Sequence, residues 1–115
     1  MQIKELRVFI PCDDFDVSLA FYKALGFEAD EANADLAILI GGGSTFFLMR
    51  NAQHQSVKEL SLQLVVADLD EALTTIAGID EGNLKYTPIT HEPWGRVIYL
   101  TGPSGELWHV TELQI

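Results

Sequence analysis

At 115 residues the chain is long enough for one hydrophobic core and needs neither disulfides nor a structural metal to fold. Its 17 acidic against 7 basic residues leave a net charge of −10, which repels phosphate backbones, excludes nucleic acid as a partner and favours a cationic small molecule over an anionic one. The lone Cys12 has no intramolecular partner, and no apolar run approaches the ~18–20 residues of a membrane span, so a cytoplasmic protein with no membrane partner is expected.

In chain order, Leu6, Val8 and Ile10 alternate with Arg7, Phe9 and Pro11, predicting a first strand with an aliphatic face and a mixed one. Asp14 is placed to cap a helix whose face is Ser18, Phe21, Tyr22 and Leu25, and Gly26 stops it. Phe27 to Ala29 read as a short strand. Leu36 to Ile40 form an apolar run, Gly41-Gly42-Gly43-Ser44 a turn, and Thr45 to Arg50 another strand with Thr45, Phe47 and Met49 on one face. Residues 51–58, polar and weakly patterned, read as a linker. Then the pattern restarts. Leu60, Leu62 and Leu64 alternate with Ser61, Gln63 and Val65, and Asp68 caps a helix with Glu71 three residues on. Leu69, Ala72, Leu73 and Ile76 form its face, and Gly78 or Gly82 closes it. Lys85 to Ile89 read as a strand. Pro93-Trp94-Gly95-Arg96 leads into Val97 to Leu100, the Gly102-Pro103-Ser104-Gly105 turn and a last strand with Leu107, His109 and Thr111 on one face.

The halves repeat. Leu6, Val8 and Ile10 fall on Leu60, Leu62 and Leu64; Asp14-Phe15-Asp16 falls on Asp68-Leu69-Asp70; Gly43, Phe46 and Leu48 fall on Gly105, Trp108 and Val110. Each half is a strand, a helix and about three strands, and its helix can cover only one sheet face. The expected architecture is α+β: a single domain, 1–115, with module one at 1–50, a linker at 51–58 and module two at 59–115. Two such modules, sheets curling together and helices outside, would enclose a cavity.

Three motifs resemble the vicinal oxygen chelate superfamily of glyoxalase I, extradiol dioxygenases and bleomycin resistance proteins. They are Phe21-Tyr22-x-x-Leu25-Gly26-Phe27, Val66-x-Asp68-x-Asp70 and Gly102-Pro103-x-Gly105, and the likeness runs from about Leu6 to Glu112. The tryptophan turn at Pro93-Trp94-Gly95-Arg96 resembles the bleomycin resistance branch most. The resemblance implies paired βαβββ modules, commonly a homodimer with ligand grooves shared between subunits.

It also implies four positions at which metal-dependent members carry chelating side chains. Here these are Arg7, Phe47, Ser61 and His109. A guanidinium opposes a cation, a phenyl ring cannot coordinate, and a serine hydroxyl is a poor neutral ligand, so a single imidazole remains. Gln63 and Thr111 share the face but are weak donors, Glu112 is expected to point the other way, and His54, His91 and Glu92 fall in linker or loop. No metal and no cofactor are expected. Cys12 reads as a small buried residue, not a nucleophile, and no spacing identifies a catalytic triad around His109.

What the open face offers is a small-molecule pocket: Arg7, Phe9, Phe47, Met49, Ser61, Gln63, Tyr99 and His109, with Trp94 near its rim. Trp94 and Phe47 can stack on planar rings, Met49 adapts to irregular shapes, and Arg7 can hold an anionic group. The function expected is a metal-independent, non-catalytic small-molecule-binding protein that sequesters an antibiotic or another cationic or aromatic ligand. The alternative is a lyase, isomerase or dioxygenase with a non-standard metal site built on His109 and loop donors.

Overall fold

Two aspartates start the two helices. In the computed structural model, which describes residues 1–51, 53–79 and 84–114, Asp14 Oδ1 accepts a hydrogen bond from Val17 N at 3.1 Å, and Asp68 Oδ1 accepts from Asp70 N and Glu71 N at 3.0 and 3.2 Å. The helices are α1 (Phe15–Leu25) and α2 (Leu69–Ala77). Gly26 ends α1 in the left-handed conformation at φ 119°, where a side chain would be strained. Gly78 follows α2; the other candidate stop, Gly82, lies outside the described residues, as does Ala52 of the linker.

The strands are β1 (Phe9–Cys12), β2 (Glu28–Asn33), β3 (Leu36–Gly41), β4 (Ser44–Arg50), β5 (Ser61–Val65), β6 (Lys85–Tyr86), β7 (Thr90–Glu92), β8 (Gly95–Thr101) and β9 (Leu107–Leu113). They form two mixed sheets, ordered β1-β4-β3-β2 and β5-β9-β8-β6, with β7 also on β8. In each, the first strand runs parallel to the last, β1 on β4 and β5 on β9, and the other pairs are antiparallel. The helix between parallel strands is the crossover that such pairing requires. The result is the α+β pair of modules that the repeat implies.

Strand limits differ from the sequence pattern in three places. The first strand begins at Phe9, and Leu6 is 87% exposed, although Val8 O still accepts from Phe47 N at 2.9 Å. The alternation of residues 6–10 is real: Val8 packs against the core and Ile10 is buried, but no described residue covers Leu6. The expected strand at Lys85–Ile89 is two short strands on either side of Pro88, which has no N–H to give a ladder. The short strand at Phe27–Ala29 continues to Asn33, because the acidic side chains of Glu28, Asp30 and Glu31 are exposed on an edge strand.

One core serves both modules. Ile10, Phe21, Tyr22, Leu39 and Leu48 of the first half join Leu69, Ile76, Ile98, Leu100 and Val110 of the second in a single buried cluster. Each sheet therefore turns one face to the shared core and the other away. Three hydrogen bonds cross between the modules among the described residues: Asp13 N to Ser104 Oγ at 3.0 Å, Tyr22 OH to Glu106 Oε2 at 2.7 Å, and Trp108 Nε1 to Tyr22 OH at 2.8 Å. Among the described residues no helix is long and apolar enough to cross a membrane.

Candidate ligand-binding site

On the first sheet, register places Phe9, Phe47 and Ile38 in one row across the open face, with Pro11, Met49 and Leu36 in the next. Phe9 lies flat on Phe47, ring centroids 4.5 Å apart and planes 12° from parallel, and remains 51% exposed. Phe47 beneath it is buried, and Met49 is half-buried. The Arg7 guanidinium sits 5.4 Å from the Phe47 ring centroid, a cation–π contact, and pairs with Glu5 at 3.0 Å. The hydrogen bond from Arg7 to the Glu5 carboxylate holds that acid below its usual range. The Arg7 charge, expected to face inward, is instead exposed on the segment before β1 and paired two residues away.

On the second sheet, Ser61 pairs with Leu107, Gln63 with His109, and Tyr99 with His109. Gln63 Nε2 donates to Thr111 Oγ1 at 3.3 Å, and the His109 ring meets Tyr99 edge-on at 5.2 Å. Ser61 is exposed, while Tyr99 and His109 are half-buried. Tyr99 OH donates to Glu92 Oε1 at 3.0 Å, and this bond raises the phenol pKa. Trp94, 49% exposed, occupies the turn that links β7 and β8. The backbone fixes that turn. Gln114 N donates to Trp94 O at 2.9 Å, and Gly95 has φ +149°, where a Cβ would run into the Glu112 carbonyl oxygen.

The candidates thus form two groups, Arg7, Phe9, Phe47 and Met49 on one sheet and Ser61, Gln63, Tyr99, His109 and Trp94 on the other. No hydrogen bond, ion pair or aromatic contact joins the groups among the described residues. An apolar cleft of about 560 Å³ opens elsewhere, between the end of α1, the β3–β4 turn and the free edge of β5; Gln63 is the one candidate that lines it.

Arg7, Phe47, Ser61 and His109, the positions the resemblance implies for chelation, hold side chains that do not fit a metal: a guanidinium already paired with a carboxylate, a buried phenyl ring, a hydroxymethyl group and one imidazole. No three His, Cys, Asp or Glu side chains converge among the described residues. Glu112 turns away from this face, as its strand parity requires, and accepts from Leu69 N at 2.9 Å and Arg96 Nη2 at 3.0 Å. Cys12 is fully buried, and burial pushes its thiol up to about 11, which disfavours the thiolate. His54 and His91 are exposed.

Glu92, expected in a loop, stands instead on β7 beside this face, opposite Gly95. The signal was present in the two-residue spacing to Trp94, since a hairpin closed by Pro93-Trp94 keeps its flanking residues beside it.

A family model described as the glyoxalase/bleomycin resistance protein/dioxygenase superfamily matches residues 5–110. Among solved structures, a bleomycin resistance determinant encoded on the transposon Tn5 is 23% identical, covers 98% of this chain and 100% of its own, and has a TM-score of 0.79. The bleomycin-binding protein of Streptomyces verticillus, solved with copper(II)-bleomycin, is 23% identical over 99% of both chains, with a TM-score of 0.75. An antibiotic binding protein of Streptomyces sp. CB03234, TnmS3, is 19% identical over 99% of both, with a TM-score of 0.80. No curated protein sequence matches. At these identities the solved structures speak for the fold, whereas the family model spans nearly the whole chain. The chain belongs to the glyoxalase/bleomycin resistance protein/dioxygenase superfamily.

Proposed function

We propose that this protein is a cytoplasmic, metal-independent, homodimeric binding protein that sequesters a flat, cationic small molecule, with bleomycin-type antibiotics the first candidates. Nothing is chemically changed; the ligand is withheld from its target. The observation that carries this reading is the aromatic wall on the open face of the first sheet, where Phe9 lies half-exposed on Phe47. An exposed stacked pair beside adaptable Met49 suits stacking of a planar ring on the outer face of Phe9. The site residues proposed are Arg7, Phe9, Phe47, Met49, Ser61, Gln63, Trp94, Tyr99 and His109. The chain is read as one domain of two modules, 1–50 and 59–115, joined by the linker 51–58. Because each module's open face lies beyond the shared core, a second copy is needed to bring an aromatic wall opposite a His109 wall. Solved relatives that bind bleomycin or another antibiotic support the same class.

Calorimetric titration with bleomycin and a panel of aromatic metabolites tests the reading. Saturable heat that Phe9→Ala and Trp94→Ala each weaken about tenfold or more is expected; no heat with any ligand overturns it. The rival is a metal-dependent lyase, isomerase or dioxygenase with a non-standard site built on His109, the one imidazole on this face. Metal analysis of protein purified from cells separates the two. Stoichiometric zinc, nickel, manganese or iron that disappears in His109→Ala would establish the rival.

A further inference from the structure

Phe47 stands in the middle of a row across the open face of the first sheet, between Phe9 and Ile38, yet it is only 9% exposed. Residues of its own chain lie on it. The Phe9 ring is stacked at 4.5 Å, and the Arg7 guanidinium carbon is 5.4 Å from the Phe47 centroid. Arg7 in turn grips Glu5 with both arms of its fork, Nε to Oε1 at 3.0 Å and Nη2 to Oε2 at 3.1 Å. The wall that would receive a planar ring therefore already carries a planar cation, neutralised by an acid of the same segment.

The attachment is slight. Residues 1–8 belong to no strand, and among the described residues their backbone meets the sheet through one hydrogen bond, from Phe47 N to Val8 O. The Arg7 and Glu5 side chains stay 45% and 47% exposed, where ion pairs and cation–π contacts are weak. A stacked ring buries more apolar surface on Phe47 than a guanidinium does, so it can take that place. The chain's other cation–π contact is built differently. Arg50, 5.3 Å from the Phe15 ring, is also tied to Asp35 and to the Ala34 carbonyl, and Phe15 belongs to the core.

We propose that Arg7 is an internal occupant of the ligand wall: in the free protein the segment before β1 lays its guanidinium on Phe47, and a planar ligand enters by displacing it. The segment is a strap that opens on binding. The outer face of Phe9 is accessible from the start, whereas the Phe47 ring becomes available when Arg7 leaves with Glu5 as its partner. This rests on the sequestration reading above and adds a competition to it, since every ligand of the wall is weakened by the cost of moving Arg7.

Fluorescence titration of the full chain with neutral phenylindole and with its cationic diamidine, DAPI, tests this. Arg7→Gln removes the competitor and should tighten both ligands about twofold to fivefold. Both must tighten, because repulsion between charges alone would strengthen DAPI and leave phenylindole unchanged. Proton NMR of the wild type gives the direct measurement. The Arg7 δ-methylene protons should lie upfield of their position in the urea-unfolded chain and return toward it as phenylindole saturates. Phenylindole binding that Arg7→Gln leaves unchanged or weakens, or δ protons that ignore a saturating ligand, overturns the proposal. So does a failure of both ligands to bind either protein. The two readings fail separately. If bleomycin binds and Arg7→Gln alters nothing, the strap falls and sequestration stands. If the wild type takes no ligand while Arg7→Gln takes phenylindole, sequestration fails and the strap stands.

Discussion

Glu106 has no solvent exposure, yet its carboxylate is met from both modules. Tyr22 OH donates to it from α1 at 2.7 Å and Ser104 N from the turn at 2.9 Å, while Trp108 Nε1 donates to the Tyr22 oxygen at 2.8 Å. Burial, and then the charge and hydrogen bond of Glu106, push the Tyr22 phenol far above its ordinary pKa, so it stays a donor. Gly102 is part of the same device, since a Cβ there would lie 2.5 Å from the Glu106 carboxyl carbon. Tyr22→Phe leaves the Trp108 indole N–H and one Glu106 oxygen without partners, and should cost about 1–3 kcal/mol in urea denaturation. Gly102→Ala should also lower the urea midpoint, because the carboxylate has nowhere to move. Tyr22 and Gly102 were legible in the sequence as parts of two motifs. Glu106 was not: a glutamate after a turn reads as solvated, and only the tertiary fold shows that helix α1 lies on it.

The helix caps and glycine stop of α1 were legible because they are local chemistry, and so was the start of α2. What anchors α2 was not, for it joins residues distant in sequence. Glu112 of β9 accepts from Leu69 N, the first residue of α2, and pairs with Arg96, which also reaches Asp70. The Arg96 hydrogen bond, and next the one from Leu69 N, hold the Glu112 carboxyl below its usual range. A carboxylate whose folded pKa is depressed stabilises the fold above its unfolded pKa, and that contribution is lost as pH falls through the folded value. Wild-type stability should therefore decline below about pH 4.5. Glu112→Gln, which keeps an oxygen for Leu69 N but loses the charge, should be less stable at neutral pH and converge on the wild type in acid. Urea midpoints across the pH range check this; a gap between the two proteins that stays constant down to the acid limit contradicts it.

At the scale of the whole chain, the modules share a core on one side of each sheet, and on the other side Phe47, Val97 and Thr111 are buried while other apolar side chains of the described residues stay exposed. Exposed apolar side chains gather there and at the start of the chain: Leu6 at 87%, Phe9 at 51%, Ile40 at 41%, Val65 at 52% and Leu113 at 41%. The sheet edges are unequal. The β2 edge carries acidic side chains and a bulge, β1 holds Pro11, and β6 has two residues, whereas β5 is five uncharged residues with a free side. Charges, prolines and bulges discourage strand pairing, so β5 is the edge left open to a partner. The repeat in the sequence said that each module must cover a second face, but it could not say whether the same chain or another does so. Among the described residues part of that second face stays exposed, and the proposed dimer would cover it. Wild-type protein should sediment as a dimer at micromolar concentration. Val65→Asp places a charge on the open face of that edge strand, away from the shared core, and should raise the dimer dissociation constant about tenfold or more without changing the circular dichroism spectrum. If the proposed groove is shared between two copies, Val65→Asp should lose ligand affinity in parallel with dimerisation, and raising protein concentration should restore both together. A wild type that sediments as a monomer, or a monomeric variant that keeps full affinity, would mean that each chain completes its own site.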